Sequence, residues 1–370
     1  MTPLPKDQFD IITIGGITRD LFLKVDSAEI LESVSLKNGT QKSLLLPYGS
    51  KIPVSEIHTA FGGGAANTAV SFARLGLKVA FCGALGQDDE GEKALAHLKK
   101  EKINLALTTR VKKQITGFSV ALASFDGQRT ILTHAGANQA LAPTLLKEDF
   151  FRQTQWVYLT SLYGQAEEIL KRILRFKQKY HFKIAWNPGS QQIKAGYKTH
   201  REFLTQTEIL ILNKEEAADF TDLPYQEHFY EGIHLLGQRQ GILKFTHLLP
   251  HYVVDTLKIM QFLIQTGVKL VVITDGQRGA QVYDGKTHYF IPAVNIKPIS
   301  TLGAGDAFAS TFVGGIIHGQ NITQALGLAN LNAASVVSHF GAQLGLLSYT
   351  NLIKKRRSQS GKVVKNSLKC

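Results

Sequence analysis

Cysteine is almost missing from this 370-residue sequence: Cys82 and Cys370 are the only two, and the second is the last residue. So sparse a set excludes a disulfide framework and points to a reducing compartment, the cytoplasm by default. Residues 1–10 lack the basic-then-apolar order of a signal peptide, and no apolar run is long enough to span a bilayer. Neither export nor a membrane partner is therefore expected. Familiar phosphate loops are missing too. No G-x-x-x-x-G-K-[ST] segment occurs, and the nearest approach to a dinucleotide fingerprint, Phe61-Gly-Gly-Gly-Ala-Ala-Asn67, ends in Asn instead of Gly. The twelve histidines form no cluster with the cysteines, so a Cys/His zinc site has no support.

What is present is an ordinary globular composition, 44% hydrophobic and 19% charged, with a formal net charge of +13. That excess raises the question of nucleic acid, but its distribution argues against such a partner. Lys354, Lys355, Arg356, Arg357, Lys362, Lys365 and Lys369 carry seven of the charges with no intervening acid. Residues 354–370 are thus expected to be a solvated helix end running into a flexible, solubilising tail. The rest of the excess suits a small anionic ligand such as a nucleotide.

Runs rich in β-branched and aromatic residues alternate with helical patterns, which predicts an α/β fold with a mainly parallel sheet. Strands are expected at 11–16, 78–83, 156–161, 183–187, 208–213 and 268–274, with helices at 65–75, 91–101, 167–179, 215–220 and 254–265. A hairpin at 279–284 and 286–293, turning at Asp284-Gly285, precedes helices at 305–317 and 322–340. Residues 17–60 and 103–135 break the alternation with extended segments, including an Asp126-Gly127 hairpin signal. They predict a separate small sheet that would act as a lid over a ligand, or as a homodimer surface if it presents an apolar face. Trp156 and Trp186 lie in apolar strand patterns and are expected in the core.

The residues with most chemistry are Ser300-Thr-Leu-Gly-Ala-Gly-Asp-Ala-Phe308. A glycine turn opens an apolar helix, so backbone N–H groups of Gly303, Ala304 and Gly305 can face an anion, and Asp306 falls in the first turn. An anion hole beside a base suits phosphoryl transfer to a hydroxyl. Taken alone, the run equally fits a plain turn before a helix. The glycines ending in Asn67 likewise open a helix, and Asn67 offers a donor and an acceptor to polyol hydroxyls. Asp20 follows the first strand, where ligands of open α/β sheets bind, although a cap or solvent role is the commoner use of a lone Asp. Asn213 and Glu216 follow a strand end and could serve phosphates and water-bound Mg²⁺; the same spacing makes a capping box. Arg19 and Arg129 could touch an anionic acceptor, though surface positions are the commoner use.

In this order, the segment 62–76, GGGAANTAVSFARLG, and the segment 301–306, TLGAGD, resemble the two signatures of the ribokinase-like (PfkB) carbohydrate kinases. Asn213-Lys-Glu-Glu216 resembles the family's N-x-x-E, and Thr274-Asp-Gly-Gln-Arg-Gly279 its nucleotide-side turn. The resemblance implies a three-layer kinase domain over 1–353 that transfers the ATP γ-phosphoryl group to a sugar hydroxyl, with a nucleoside as the alternative acceptor. A non-catalytic sugar- or nucleotide-binding regulator is a more distant alternative. The resemblance also implies Asp306 as base and Gly303, Ala304 and Gly305 as anion hole. Asp20, Gly63, Gly64 and Asn67 would bind the acceptor, and Asn213, Glu216, Thr274, Gly276 and Gly341 the Mg²⁺-nucleotide, with Glu216 reaching Mg²⁺ through water. One departure is evident: the second signature usually begins Asp-Thr, whereas this chain has Ser300-Thr301. Losing that charge argues against monovalent-cation activation.

Overall fold

The computed structural model describes residues 8–25, 29–35, 39–123, 129–223, 226–228, 251–253, 256–359 and 363–367. Strand β1 (Phe9–Ile14) lies within a ten-stranded sheet. The chain then leaves for β2 (Thr18–Lys24), the hairpin of β3 (Glu29–Ser35) and β4 (Gly39–Leu45), and β5 (Glu56–Gly62). Helix α1 (Gly64–Arg74) returns it to β6 (Val79–Gly86), parallel to β1, and α2 (Asp89–Lys100) leads to β7 (Asn104–Val111) at one edge. β8 (Gly117–Ala123) and β9 (Arg129–His134) go back to the small sheet, whose order is β5-β2-β8-β9.

On the other side of β1 come α3 (Glu148–Arg152), β10 (Thr154–Leu159), α4 (Ala166–Tyr180), β11 (Lys183–Trp186), α5 (Ser190–Thr199), α6 (Arg201–Thr205), β12 (Ile209–Asn213) and α7 (Lys214–Thr221). A short pair, β13 (Gln226–His228) and β14 (His251–Val253), precedes α8 (Thr256–Gln265) and β15 (Leu270–Thr274). β16 (Ala280–Tyr283) and β17 (Thr287–Ile291) turn antiparallel, followed by α9 (Ala304–Ile317), α10 (Ile322–Val337), α11 (Tyr349–Gln359) and β18 (Val364–Ser367). Because successive parallel strands are added first on one side of β1 and then on the other, the order reverses at β1. Ligands of such sheets bind beyond the strand carboxyl ends at that reversal.

Apart from the edge strand β7, the parallel strands are buried on both faces, which is why they read as continuous apolar runs. Their side chains alternate between two cores. Ile11, Ile209, Ile211 and Val272 face α1, α9 and α10, whereas Ile12, Ile14, Leu210, Leu212 and Ile273 face α4, α7 and α8. Trp156 and Trp186 are buried as expected, and Trp186 is packed edge-on against Phe203 at 5.0 Å. Among the described residues no helix is long and apolar enough to cross a membrane.

Two expectations need correction. The stretch 103–135 divides: Asn104–Val111 belongs to the large sheet, pairing with β6, and only β8 and β9 join the lid sheet. Asp20 lies beyond the first strand, as expected, within β2 of the small sheet, opposite Ala60 and Ser119. The basic tail begins as the helix end expected, with residues 354–359 completing α11, but Val364–Ser367 then pair with β17. The Asp126-Gly127 signal lies outside the described residues.

Candidate active site

The heads of α1 and α9 meet above the carboxyl end of β1. Neither helix has a side-chain N-cap; each begins after a glycine with positive φ, Gly63 at 90° and Gly303 at 74°. Uncapped first-turn N–H groups are what an anionic or hydroxylated ligand can use. Gly63 is required on two counts: its φ is costly for other residues, and a Cβ there would fall 2.6 Å from Gly16 O and Ile17 Cα. Gly305 differs, with open space where a Cβ would project.

Asp306 stands in the first turn of α9, and Asn67 Nδ2 donates to its Oδ2 at 2.8 Å. Loss of hydration on burial pushes the Asp306 carboxyl up to about 6; repulsion from Glu216 and Asp20 acts in the same direction, and the Asn67 bond opposes them. Asp20 is only 4% exposed. Burial raises its proton affinity, against the hydrogen bonds that Ser119 (2.6 Å) and Thr18 (2.8 Å) donate to its Oδ1 and the nearby charge of Arg19. Asp20 Oδ2 occupies the space over Gly62 that a side chain would need.

Asn213 and Glu216 do form the capping box. Asn213 Oδ1 accepts from Glu216 N at 2.7 Å, and Glu216 Oε2 accepts from Asn213 N at 2.8 Å. Burial raises the Glu216 carboxyl too, opposed by the Asn213 bond and reinforced by Glu215 and Asp219. In the sheet Asn213 pairs with Thr274, which brings α7 beside a cavity of about 620 Å³. Thr274, Gly276, Thr301, Ala304, Gly305 and Asn330 line that cavity together with apolar residues, a mixture suited to a phosphate chain and a heterocyclic base.

Of the sequence-predicted residues, Thr274, Gly276, Ala304 and Gly305 line this cavity; Asn67 is joined to Asp306 by its hydrogen bond, Glu216 and Asp20 lie near enough to repel Asp306, and Gly63, Gly64, Asn213 and Gly303 stand at the heads of α1, α7 and α9. Gly341 is not part of this cavity wall; with φ 79° it abuts Ala60 of the lid strand, while the next residue, Ala342, abuts Gly303. Arg19 is committed elsewhere, paired with Glu90 at 3.0 Å and lying 4.9 Å over the Phe61 ring. Four supporting residues had no local sequence signal. Thr18 and Ser119 hold Asp20, Asn138 clamps both backbone groups of Ile17, and His97 contacts Gln343.

The architecture defines the class: a ribokinase-like α/β fold with a small-sheet lid. It matches the solved ribokinase of Arabidopsis thaliana complexed with ribose and ATP, with a TM-score of 0.72, 20% identity, and coverage of 94% of this chain and 98% of that one. The nucleoside kinase of Methanocaldococcus jannaschii matches with a TM-score of 0.70 and 18% identity over 95% of this chain and 99% of that one. In sequence, the ATP-dependent ribose-1-phosphate kinase of Halopiger xanaduensis is 25% identical over 76% of this chain and 82% of its own length. The profile of the pfkB family carbohydrate kinases matches residues 31–348, and the chain belongs to that family of ATP-dependent phosphotransferases acting on alcohol groups.

Proposed function

We propose that this chain phosphorylates a hydroxyl of an uncharged sugar with ATP, using Asp306 as general base. The observation that carries this reading is a carboxylate raised to about 6 at an uncapped helix head, beside the cavity lined by Thr274, Gly276 and Gly305. Asp306 takes the proton of the acceptor hydroxyl as its oxygen bonds the γ-phosphorus. The bond from that phosphorus to the bridging oxygen breaks, and ADP leaves. Gly303, Ala304 and Gly305 would direct N–H groups at the phosphoryl oxygens. Asp20, Gly63, Gly64 and Asn67 would hold the acceptor hydroxyls. Asn213, Glu216, Thr274 and Gly276 would serve the nucleotide phosphates.

Mg²⁺ fits the acidic character of this end of the crevice, where Glu216 and Asp20 both repel the Asp306 carboxylate. No cluster of three His, Cys, Asp or Glu ligands occurs among the described residues, which suits an ion that keeps much of its water. Glu216 would hold it through water, and its chemistry would be charge neutralisation on the phosphates. Because Arg19 is occupied by Glu90 and Phe61, a sugar is favoured over a sugar phosphate as acceptor. Closure of the lid sheet would exclude water. A cytoplasmic location and pairing of two copies through the lid belong to the same proposal.

The test is ADP release from Mg²⁺-ATP with ribose, fructose, adenosine and ribose 1-phosphate. A sugar is expected to be turned over with the highest kcat/KM; adenosine in that place would make the chain a nucleoside kinase. Replacing Na⁺ by K⁺ is expected to change the rate less than about twofold, because Ser300 brings no carboxylate charge to a cation. A large K⁺ activation would refute that part. The pH profile follows from the base: kcat/KM should be level near pH 8 and fall through about pH 6 as Asp306 takes up a proton. A profile still level at pH 5 would move the base to another residue.

A further inference from the structure

Asp306 is the end of a chain of side chains that no local motif announces. Asn67 Nδ2 donates to Asp306 Oδ2 at 2.8 Å, Gln343 Nε2 donates to Asn67 Oδ1 at 2.9 Å, and Gln343 Oε1 lies 2.6 Å from His97 Nε2. The two amides are buried, Asn67 to 5% and Gln343 to 6% exposure, so water does not readily replace these partners. The polarity of the chain follows from its last member. An ionised carboxylate only accepts, so Asn67 must turn its NH₂ to Asp306 and its oxygen to Gln343. Gln343 must then turn its NH₂ to Asn67 and its oxygen to the imidazole. Only a His97 ring with the proton on Nε2 completes the series.

The free end of the chain touches the lid. Phe61 of β5 stacks on the His97 ring, centroids 5.3 Å apart at 28°. Arg19 of β2 lies over Phe61 and reaches Glu90 on the same helix, α2, that carries His97. Gln343 is also fixed from behind, because its backbone oxygen accepts from Arg74 Nη1 at 2.6 Å and Arg74 is gripped by both oxygens of Glu101. The strand whose Phe61 rests on His97 continues into Gly62, directly over Asp20.

We propose that His97 is a positioning residue for Asp306, acting through Gln343 and Asn67, and that the lid strand sets its ring through Phe61. The inference rests on the assignment of Asp306 as base. When the acceptor engages Asp20 and the glycines after Phe61, the settled strand fixes the imidazole, and the donor chain holds the carboxylate ionised and aimed. With the chain broken at His97, Gln343 can turn over, and Asn67 loses the restraint that keeps its NH₂ on Asp306.

The test compares His97→Leu, His97→Gln and Asp306→Asn in the full-length protein, with Mg²⁺-ATP and the acceptor panel above. His97→Leu is expected to lower kcat about tenfold with the KM for ATP within twofold, and to move the acid limb of kcat/KM to higher pH. Gln at position 97 can still donate, and should restore kcat to within about threefold of the parent. Parental kcat and acid limb in His97→Leu, or no rescue by Gln, would overturn the proposal. Failure of the base assignment looks different: Asp306→Asn would then retain turnover. Histidine ¹⁵N NMR on the unliganded protein decides independently of any acceptor. A His97 proton on Nε2 near pH 8 is expected, and one on Nδ1 would break the chain.

Discussion

Asp306→Asn is expected to reduce phosphoryl transfer by about 10³-fold or more while the thermal stabilisation given by Mg²⁺-ATP is kept. The amide occupies the same space and can still accept from Asn67, which now bonds Oδ2 at 2.8 Å. It cannot take the acceptor proton. The substitution should also separate activity from stability. A carboxyl raised in the folded state to about 6, from an ordinary value near 3.8, favours the fold in its neutral form. That contribution is fully present below the unfolded value and is lost as pH rises through about 6. Above pH 7 the parent therefore carries an unfavourable buried charge, which Asn lacks. The variant should be more stable than the parent at pH 7.5, by a free energy on the order of 1–3 kcal/mol that raises its melting temperature, with the gain shrinking towards pH 5. A variant that melted lower at pH 7.5 would mean that Asp306 holds the helix head together, and a variant with parental turnover would displace it as the base.

The fold was legible where burial makes the sequence monotonous. Strands such as Ile209–Asn213 and Leu270–Thr274 are apolar on both faces, so each reads as an unbroken run between helical patterns. Asn104–Val111 was assigned to the lid for the opposite reason. It is an edge strand with only Leu107 fully buried, and its polar alternation looks like that of a half-exposed small sheet. Asp20 was legible as lying just beyond the first strand, but not its pairing inside β2 with Ala60 and Ser119, because that register is set by strands far along the chain. The partners of these groups could not be read at all. Ser119 lies 99 positions from Asp20, and Gln343 lies 276 from Asn67 and 246 from His97. Only the sheet order and the packing of α1 against α9 bring such residues together.

Packing also turns the glycine run into something more specific than a helix start, and this sets the second large effect. Gly303→Ala is expected to lower both stability and kcat. At φ 74° the position is left-handed, which costs a residue with a Cβ roughly 1–2 kcal/mol. The added carbon would also strike the Cβ of Ala342 and fall 2.5 Å from its Cα, an overpacking worth about 1–3 kcal/mol more. Relief requires either the turn or the segment of Ala342 to move. Moving the turn would take the N–H groups of Ala304 and Gly305 off the phosphoryl oxygens they are proposed to bind, a loss of about 10²–10³ in kcat. Moving Ala342 carries Gln343 with it and withdraws the donor that orients Asn67. Both routes therefore reach Asp306. Gly305→Ala supplies the control, since its Cβ meets open space and its backbone is ordinary helix. It should melt with the parent while weakening Mg²⁺-ATP, because the new methyl projects into the cavity. Parental melting and kcat in Gly303→Ala would remove the contact with Ala342 from the account of the anion hole. Equal losses of stability in both variants would mean that the loss does not come from the contact with Ala342.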